Sequence, residues 1–396
     1  MEEDDRSLRG MLLGTIDEVV LAKTVVPIVV PEQQGNNTVL DEDETIICQK
    51  VDDDLFNISD DYAILKCLGH GAFGHVAEAY HRKTNTSVAI KKVEIDKDQN
   101  ISEEYKFLQW KRLSGEIFIL NALKGKHEGV VQLYDVRVEP NNNRMKEVYL
   151  TMNLMATDLD KLIKSRRLTK RDIQRYTYKI IKAIQYIHSA NVALKNSLNK
   201  RNMSNYGVGT EIYRAPELLL RCSHYNRAVD LWSIGCIFGE MFEGTSLFTG
   251  ARFYQLYPEV FELIGTPTTN EDIEWLSEEC RCTIRSSPVQ PESWEKLSNI
   301  SKDPDALGLL QKLLVFNPND RINAQKASKD PYFALDSFDQ SVENEISEIK
   351  ISEDSKTVQD VQQKIYNQVK EIRLNHKKMT DDELISTFGF QNCLSF

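Results

Sequence analysis

The sequence predicts an α+β protein in which a small strand-rich lobe precedes a larger helical one. Strand-type alternation runs through Tyr62-Ala63-Ile64-Leu65 and again through Ser87-Val88-Ala89-Ile90. Helix-spaced apolar residues then take over at Leu113, Ile117, Leu120 and Leu123. After Pro216 they dominate, in blocks at Leu231 to Phe242, Tyr257 to Ile264 and Leu307 to Phe316. Strands first and helices afterwards segregate into separate layers, and no internal repeat competes with that reading.

The chain of 396 residues, 41% hydrophobic and 28% charged, is long enough for two packed lobes with tails. The expected boundaries are an irregular extension over 1–57, a two-lobed domain over 58–333 and a C-terminal extension over 334–396. The small lobe and the strand leading out of it take 58–155, and the helical lobe takes 156–333. Acidic runs at Glu2 to Asp5 and Asp41 to Glu44, with a turn signal at Gly35-Asn-Asn, argue for the irregular start.

Another strand is expected at Val148-Tyr149-Leu150, and a helix opening on the capping pair Thr169-x-x-Asp172. That helix sets Ile173, Tyr176, Ile180, Ile184 and Ile187 on one face. In the last extension an amphipathic helix is expected near 356–374, with Val358, Val361, Ile365, Val369 and Ile372 as its stripe.

Acidic residues outnumber basic ones by 60 to 49, a net charge of -11, which argues against general nucleic-acid binding. Seven cysteines without C-x-x-C spacing suit a reducing compartment. The apolar stretch Val25 to Val30 is interrupted by Pro27 and too short to span a bilayer, and the first nine residues are acidic. No signal peptide or membrane span is expected, so the expected location is cytoplasmic and/or nuclear. The ending Cys393-Leu-Ser-Phe396 has the form of a prenylation box, but Ser395 fits it poorly and an accidental cysteine is the better reading.

Chemistry enters at Leu68-Gly-His-Gly-Ala-Phe-Gly-His-Val76. Glycines at 69, 71 and 74 let backbone amides approach phosphate oxygens with no Cβ in the way. A plain glycine-bearing hairpin would look similar. Two features sharpen the signal: the flanks are strand-like rather than strand-to-helix, and Val88-Ala-Ile-Lys91 follows on the next strand. Lys91 can meet phosphates as a point charge, and Glu116 is the carboxylate expected to pair with it. The plain alternatives are a solvated strand lysine, as Lys92 is expected to be, and an exposed helix glutamate.

From here the chain resembles the eukaryotic protein kinases, specifically the mitogen-activated protein kinase branch, over about Asp61 to Leu374. Glu147-Val-Tyr-Leu-Thr-Met-Asn-Leu-Met-Ala-Thr-Asp-Leu159 is similar to the hinge of that family, which makes Met152 the gatekeeper and places Met155 beside the nucleotide. Tyr213-Arg-Ala-Pro-Glu-Leu218, Asp230-Leu-Trp-Ser-Ile-Gly-Cys236 and Phe316-Asn-Pro-Asn-Asp-Arg-Ile322 resemble its helical-lobe motifs. The resemblance implies a bilobal protein-kinase fold. It also implies a nucleotide site of Leu68, Gly69, Gly71, Gly74, Val76, Lys91, Glu116, Met152 and Met155. Glu217 and Arg321 would form a buried ion pair, and Asp230 would brace the catalytic loop.

One stretch departs from the family. Phosphoryl transfer needs an H-R-D aspartate as base, an asparagine for metal and a D-F-G aspartate for magnesium. Only 23 residues separate Ser189 from Tyr213, fewer than the family uses, and none is aspartate. Leu194-Lys195-Asn196 stands where H-R-D should be, and Asn196, a neutral amide, is no carboxylate base. No D-F-G occurs, and the tyrosine of Thr210-Glu-Ile-Tyr213 belongs to Y-R-A-P-E rather than to a phosphorylated lip. No intact catalytic set and no metal-ligating set is therefore read. ATP is expected to bind weakly and magnesium not to be held.

Three functions remain open: a catalytically deficient kinase relative that binds nucleotide or peptides as a signalling scaffold, an exon-skipped isoform or wrongly assembled gene of an active serine/threonine kinase, and an active enzyme with an unorthodox site. The expected partners are signalling proteins with basic docking peptides, received by Asp336, Asp339, Glu343 and Glu345. A solvated acidic linker is the plain alternative for those four, whose spacing departs from the family's acidic motif.

Overall fold

The computed structural model describes residues 46–52, 54–71, 74–95, 102–125, 127–141, 144–165, 168–189, 211–220, 222, 225–250, 253–334 and 355–377. The described chain falls into two units, 46–157 with 355–377, and 158–334.

The first unit is built on a five-stranded antiparallel sheet of β3 (Tyr62–Gly71), β4 (Gly74–His81), β5 (Thr86–Glu94), β6 (Leu133–Asn141) and β7 (Arg144–Asn153). The spatial order is β3-β4-β5-β7-β6. Because side chains alternate across a strand, Val88, Ile90 and Lys92 leave one face of β5 while Ala89, Lys91 and Val93 leave the other.

A hairpin of β1 (Ile46–Val51) and β2 (Asp54–Ser59) lies on the first of those faces. Its Phe56 and Ile58 join Tyr62, Ala77, Ala79, Val88, Ile90, Tyr134 and Tyr149 in one buried cluster. The irregular extension expected through residue 57 thus gives way to strand from Ile46. Asp52 takes the left-handed conformation (φ 51°) at the hairpin turn, which short polar residues tolerate.

The same hairpin corrects the expectation for Lys92, which is buried rather than solvated. Its Nζ donates to the Leu55 carbonyl at 2.7 Å and meets Glu147 at 3.0 Å, with Glu94 as a further partner. Strand alternation directs this ammonium under the hairpin, where burial requires paired charges.

Helix α1 (Glu103–Leu123) starts at Ser102, whose hydroxyl accepts from the Tyr105 amide. It buries Leu113, Ile117, Leu120 and Leu123, and also Trp110, Lys111, Ser114, Gly115 and Ile119. Burial on more than one side needs a second cover. That cover is the last described helix, α11 (Val358–Lys377), which packs on α1 and β6 with Val361, Ile365, Val369 and Ile372 buried. Gln368 meets Ser114 at 3.5 Å, and Arg373 pairs with Asp135 at 2.9 Å.

The second unit is helical: α2 (Leu159–Lys164), α3 (Lys170–Ser189), α4 (Pro216–Leu219), α5 (Ala228–Glu243), α6 (Phe253–Ile264), α7 (Asn270–Ile273), α8 (Glu278–Arg285), α9 (Pro304–Leu313) and α10 (Ala324–Ala327). The Thr169–Asp172 pair caps α3 reciprocally: the Thr169 amide donates to the Asp172 carboxylate at 2.9 Å, and the Asp172 amide donates back to the hydroxyl at 3.2 Å. Helix α5 is buried from Val229 to Met241 and carries α3 and α9 against it. A Cβ at Gly235 would stand 2.7 Å from Leu314, so glycine there sets the close packing. Among the described residues, no helix is long and apolar enough to cross a membrane.

Candidate functional site

In the sheet unit, β3 and β4 form the glycine hairpin, with Gly69 opposite Val76 and Gly71 opposite Gly74. The glycines differ in what they do. Gly74 has φ 135°, and a Cβ there would stand 1.9 Å from the Lys92 carbonyl oxygen, so the sheet itself requires it. A Cβ at Gly69, an exposed position, would meet nothing within 4 Å.

Lys91 pairs across the sheet with Val76 on β4 and Leu150 on β7, and Met152 stands opposite Ala89. Strand alternation therefore puts Val76, Lys91, Leu150 and Met152 on one face of the sheet. The Lys91 Nζ lies 2.9 and 3.3 Å from the two Glu116 carboxylate oxygens, both side chains being buried. Helix α1 supplies the glutamate, and the second helix α11 covers α1 at Ser114, two residues away. Met152 is buried, while Leu68 and Met155 are partly exposed, Met155 accepting from the Asn153 amide at 3.5 Å.

In the helical unit, Arg321 forks onto Glu217 at 2.9 and 3.1 Å, with both side chains fully buried. The remaining guanidinium donors reach the carbonyls of Ala228, Val315 and Phe316, and the plane lies 5.2 Å from the Trp232 ring centre. Asp230 accepts from or pairs with His188 Nε2 at 2.7 Å, a partner that the sequence reading missed. Its other oxygen, Oδ1, is buried with no hydrogen-bond partner among the described residues. Arg227 donates to the His188 carbonyl at 2.7 Å, closing the end of α3.

Tyr213 Oη donates to Glu240 at 2.8 Å and its carbonyl accepts from Ser233 at 2.9 Å. Burial, then the Glu240 charge, pushes the phenol well above its ordinary range. This tyrosine is thus a packed anchor rather than an exposed acceptor. Asn196 and the acidic quartet Asp336, Asp339, Glu343 and Glu345 lie outside the described residues. Among the described residues, no three His, Cys, Asp or Glu side chains cluster as a metal site would require.

An antiparallel sheet with a glycine hairpin, a buried lysine–glutamate pair, and a helical unit carrying the glutamate–arginine pair define a protein kinase domain. That domain family matches this chain over residues 62–196 and 194–333. Mitogen-activated protein kinase 13 of Arabidopsis thaliana is 34% identical over 331 residues, 76% of this chain and 88% of that protein. Mitogen-activated protein kinase spk1 of Schizosaccharomyces pombe is 30% identical over 313 residues, 70% of this chain and 80% of that protein. Mitogen-activated protein kinase HOG1 of Cochliobolus heterostrophus is 34% identical over 303 residues, 70% of this chain and 81% of that protein. The chain belongs to the mitogen-activated protein kinase family.

Proposed function

We propose that this kinase-family chain binds adenine nucleotide and signalling peptides without transferring phosphate. The observation that carries the reading is the stretch of 23 residues from Ala190 to Ile212, which has no aspartate and places Asn196 where the base should stand. Open space at Gly69 and the Lys91–Glu116 pair on the sheet support nucleotide binding. Triphosphate chemistry draws its electrostatic stabilisation largely from bound metal, and this chain offers no D-F-G aspartate for it.

A second reading has its own support. The family match comes in two pieces that meet at residues 194–196, with intact motifs on both sides. So sharp a boundary suits an exon-skipped isoform, or a wrongly assembled gene, of an active serine/threonine kinase. Sequencing the transcript between the codons of Ser189 and Tyr213 separates the two, since an in-frame H-R-D and D-F-G would establish the second. For the protein as given, radiolabelled phosphate transfer to itself and to generic acceptors is expected to equal that of Lys91→Met. Removing one such stabilising element typically costs about 10²-fold or more. Nucleotide is expected to raise the melting temperature slightly and equally with or without chelator. Turnover above the Lys91→Met control, or a shift that vanishes on chelation, would overturn the proposal.

A further inference from the structure

The turn that follows the A-P-E helix α4 brings two thiols together from distant parts of the chain. Cys222 closes that turn, its amide donating to the Glu217 carbonyl at 2.8 Å. Cys280 sits in the first turn of α8, where its amide donates to the Ser277 hydroxyl at 3.3 Å. The Cys280 Sγ donates to the Leu220 carbonyl oxygen at 3.2 Å, inside the same turn as Cys222 and two residues before it, which brings the two thiols to one turn. Both are free thiols, Cys280 buried and Cys222 partly exposed. We propose that Cys222 and Cys280 are a peroxide-oxidisable pair that closes into a reversible disulfide, tying the A-P-E turn to α8.

The local electrostatics give the order of events. The hydrogen bond from Cys222 outweighs burial and brings the Cys280 thiol down to about 6, with the Ser277 hydroxyl adding to the effect. The same contact and burial push the Cys222 thiol up. Cys280 is therefore the attacking thiolate. It displaces hydroxide from hydrogen peroxide, the O–O bond breaks, and with one proton the products are a Cys280 sulfenic acid and water. The Cys222 sulfur then attacks the sulfenic sulfur, forming the S–S bond. The departing hydroxide takes the Cys222 proton and leaves as a second water. Two thiols have given two electrons to one peroxide, and a thiol reductant reverses the change.

Cys282, exposed and two residues beyond Cys280, is a built-in control. Trypsin cuts after Arg221, Arg227, Arg252 and Arg281, so Cys222 lies on the peptide 222–227, Cys280 on 253–281, and Cys282 on a separate peptide. The full-length protein is treated with hydrogen peroxide, its remaining thiols are blocked, and its unreduced digest is analysed by mass spectrometry. The expected product is 222–227 linked to 253–281, lost on reduction. It should be accompanied by a rise of roughly 5 °C in melting temperature, as a long loop is closed. In Cys222→Ser the crosslink and the rise disappear, while a dimedone adduct accumulates at Cys280. Crosslinking through Cys282 instead, or alkylation of Cys222 and Cys280 undiminished by peroxide, would overturn the proposal. So would a dimedone adduct that is absent from a folded Cys222→Ser protein.

Discussion

Arg321 shows how much one side chain can hold in place. Its guanidinium satisfies Glu217 through two bonds and caps the Ala228, Val315 and Phe316 carbonyls, with both charged side chains fully buried. Truncation to alanine strands a buried carboxylate, and about 3–5 kcal/mol of stability is expected to go with it. The surface pair Lys164–Asp160, at 2.6 Å, is shorter, yet its side chains are 71% and 58% exposed. Lys164→Ala should leave the urea midpoint in place, while Arg321→Ala lowers it sharply. Equal shifts would mean that distance rather than burial decides, contrary to this account.

A second residue-scale effect is titratable. Burial lowers the His81 imidazole from 6.5 to about 4 against the opposing charge of Asp61, with Nδ1 held 2.6 Å from the Thr84 hydroxyl. The folded state thus favours the neutral ring. The unfolded chain binds the extra proton between these two values, so stability rises with pH through that window. Stability is whole above about pH 6.5 and falls towards pH 4, by up to roughly 3 kcal/mol for this group. Urea unfolding across that range should show the slope, and His81→Gln should flatten it. A slope unchanged in the variant would assign the effect to other groups.

At the scale of elements, motif and period told most of what could be told. The glycine spacing and the V-A-I-K lysine placed Lys91 on its strand, and the capping pair fixed the start of α3. What stayed hidden was contact between elements remote in sequence. Period two sends Lys91 and Lys92 to opposite faces, but only the β1–β2 hairpin decides that Lys92 is covered. The hairpin is short, and its turn at Asp52 lies in an acidic stretch that reads as loop.

Helix α11 was legible as an amphipathic stripe, whereas its partner was not, because a stripe records that a face is buried without recording against what. The partner is α1, which carries Glu116. Ile365, a wholly buried residue of α11 itself, is the one to break. Ile365→Asp should detach α11 and speed amide exchange through Glu103–Leu123, with little change in the helical unit, since local opening follows loss of apolar cover. Exchange in α1 that stays at the wild-type rate would show that α11 does not hold it.

At the scale of the whole molecule the net charge of -11 bears on the proposed peptide docking. Asp336, Asp339, Glu343 and Glu345 follow directly on Pro331-Tyr-Phe333, whose Tyr332 and Phe333 are buried in the helical unit. The Tyr332 amide donates to Asp330 at 3.0 Å, and Asp330 in turn meets Lys312 at 2.7 Å. The chain therefore enters its acidic segment from a fixed point. Carboxylates of one sign gathered there would steer a basic peptide inward and raise its on-rate, through a field that salt screens beyond about 10 Å at 0.1 M. A labelled basic-plus-apolar peptide is expected to bind the full chain at low ionic strength and to weaken several-fold at high ionic strength, in line with screened attraction. Asp339→Asn combined with Glu343→Gln should lower the low-salt affinity and flatten the salt dependence. Both substitutions are isosteric and remove only charge, and an unchanged melting temperature checks that the fold is kept. If affinity and salt slope both survive in the double variant, the segment is a solvated linker, and peptide docking must be sought on another surface.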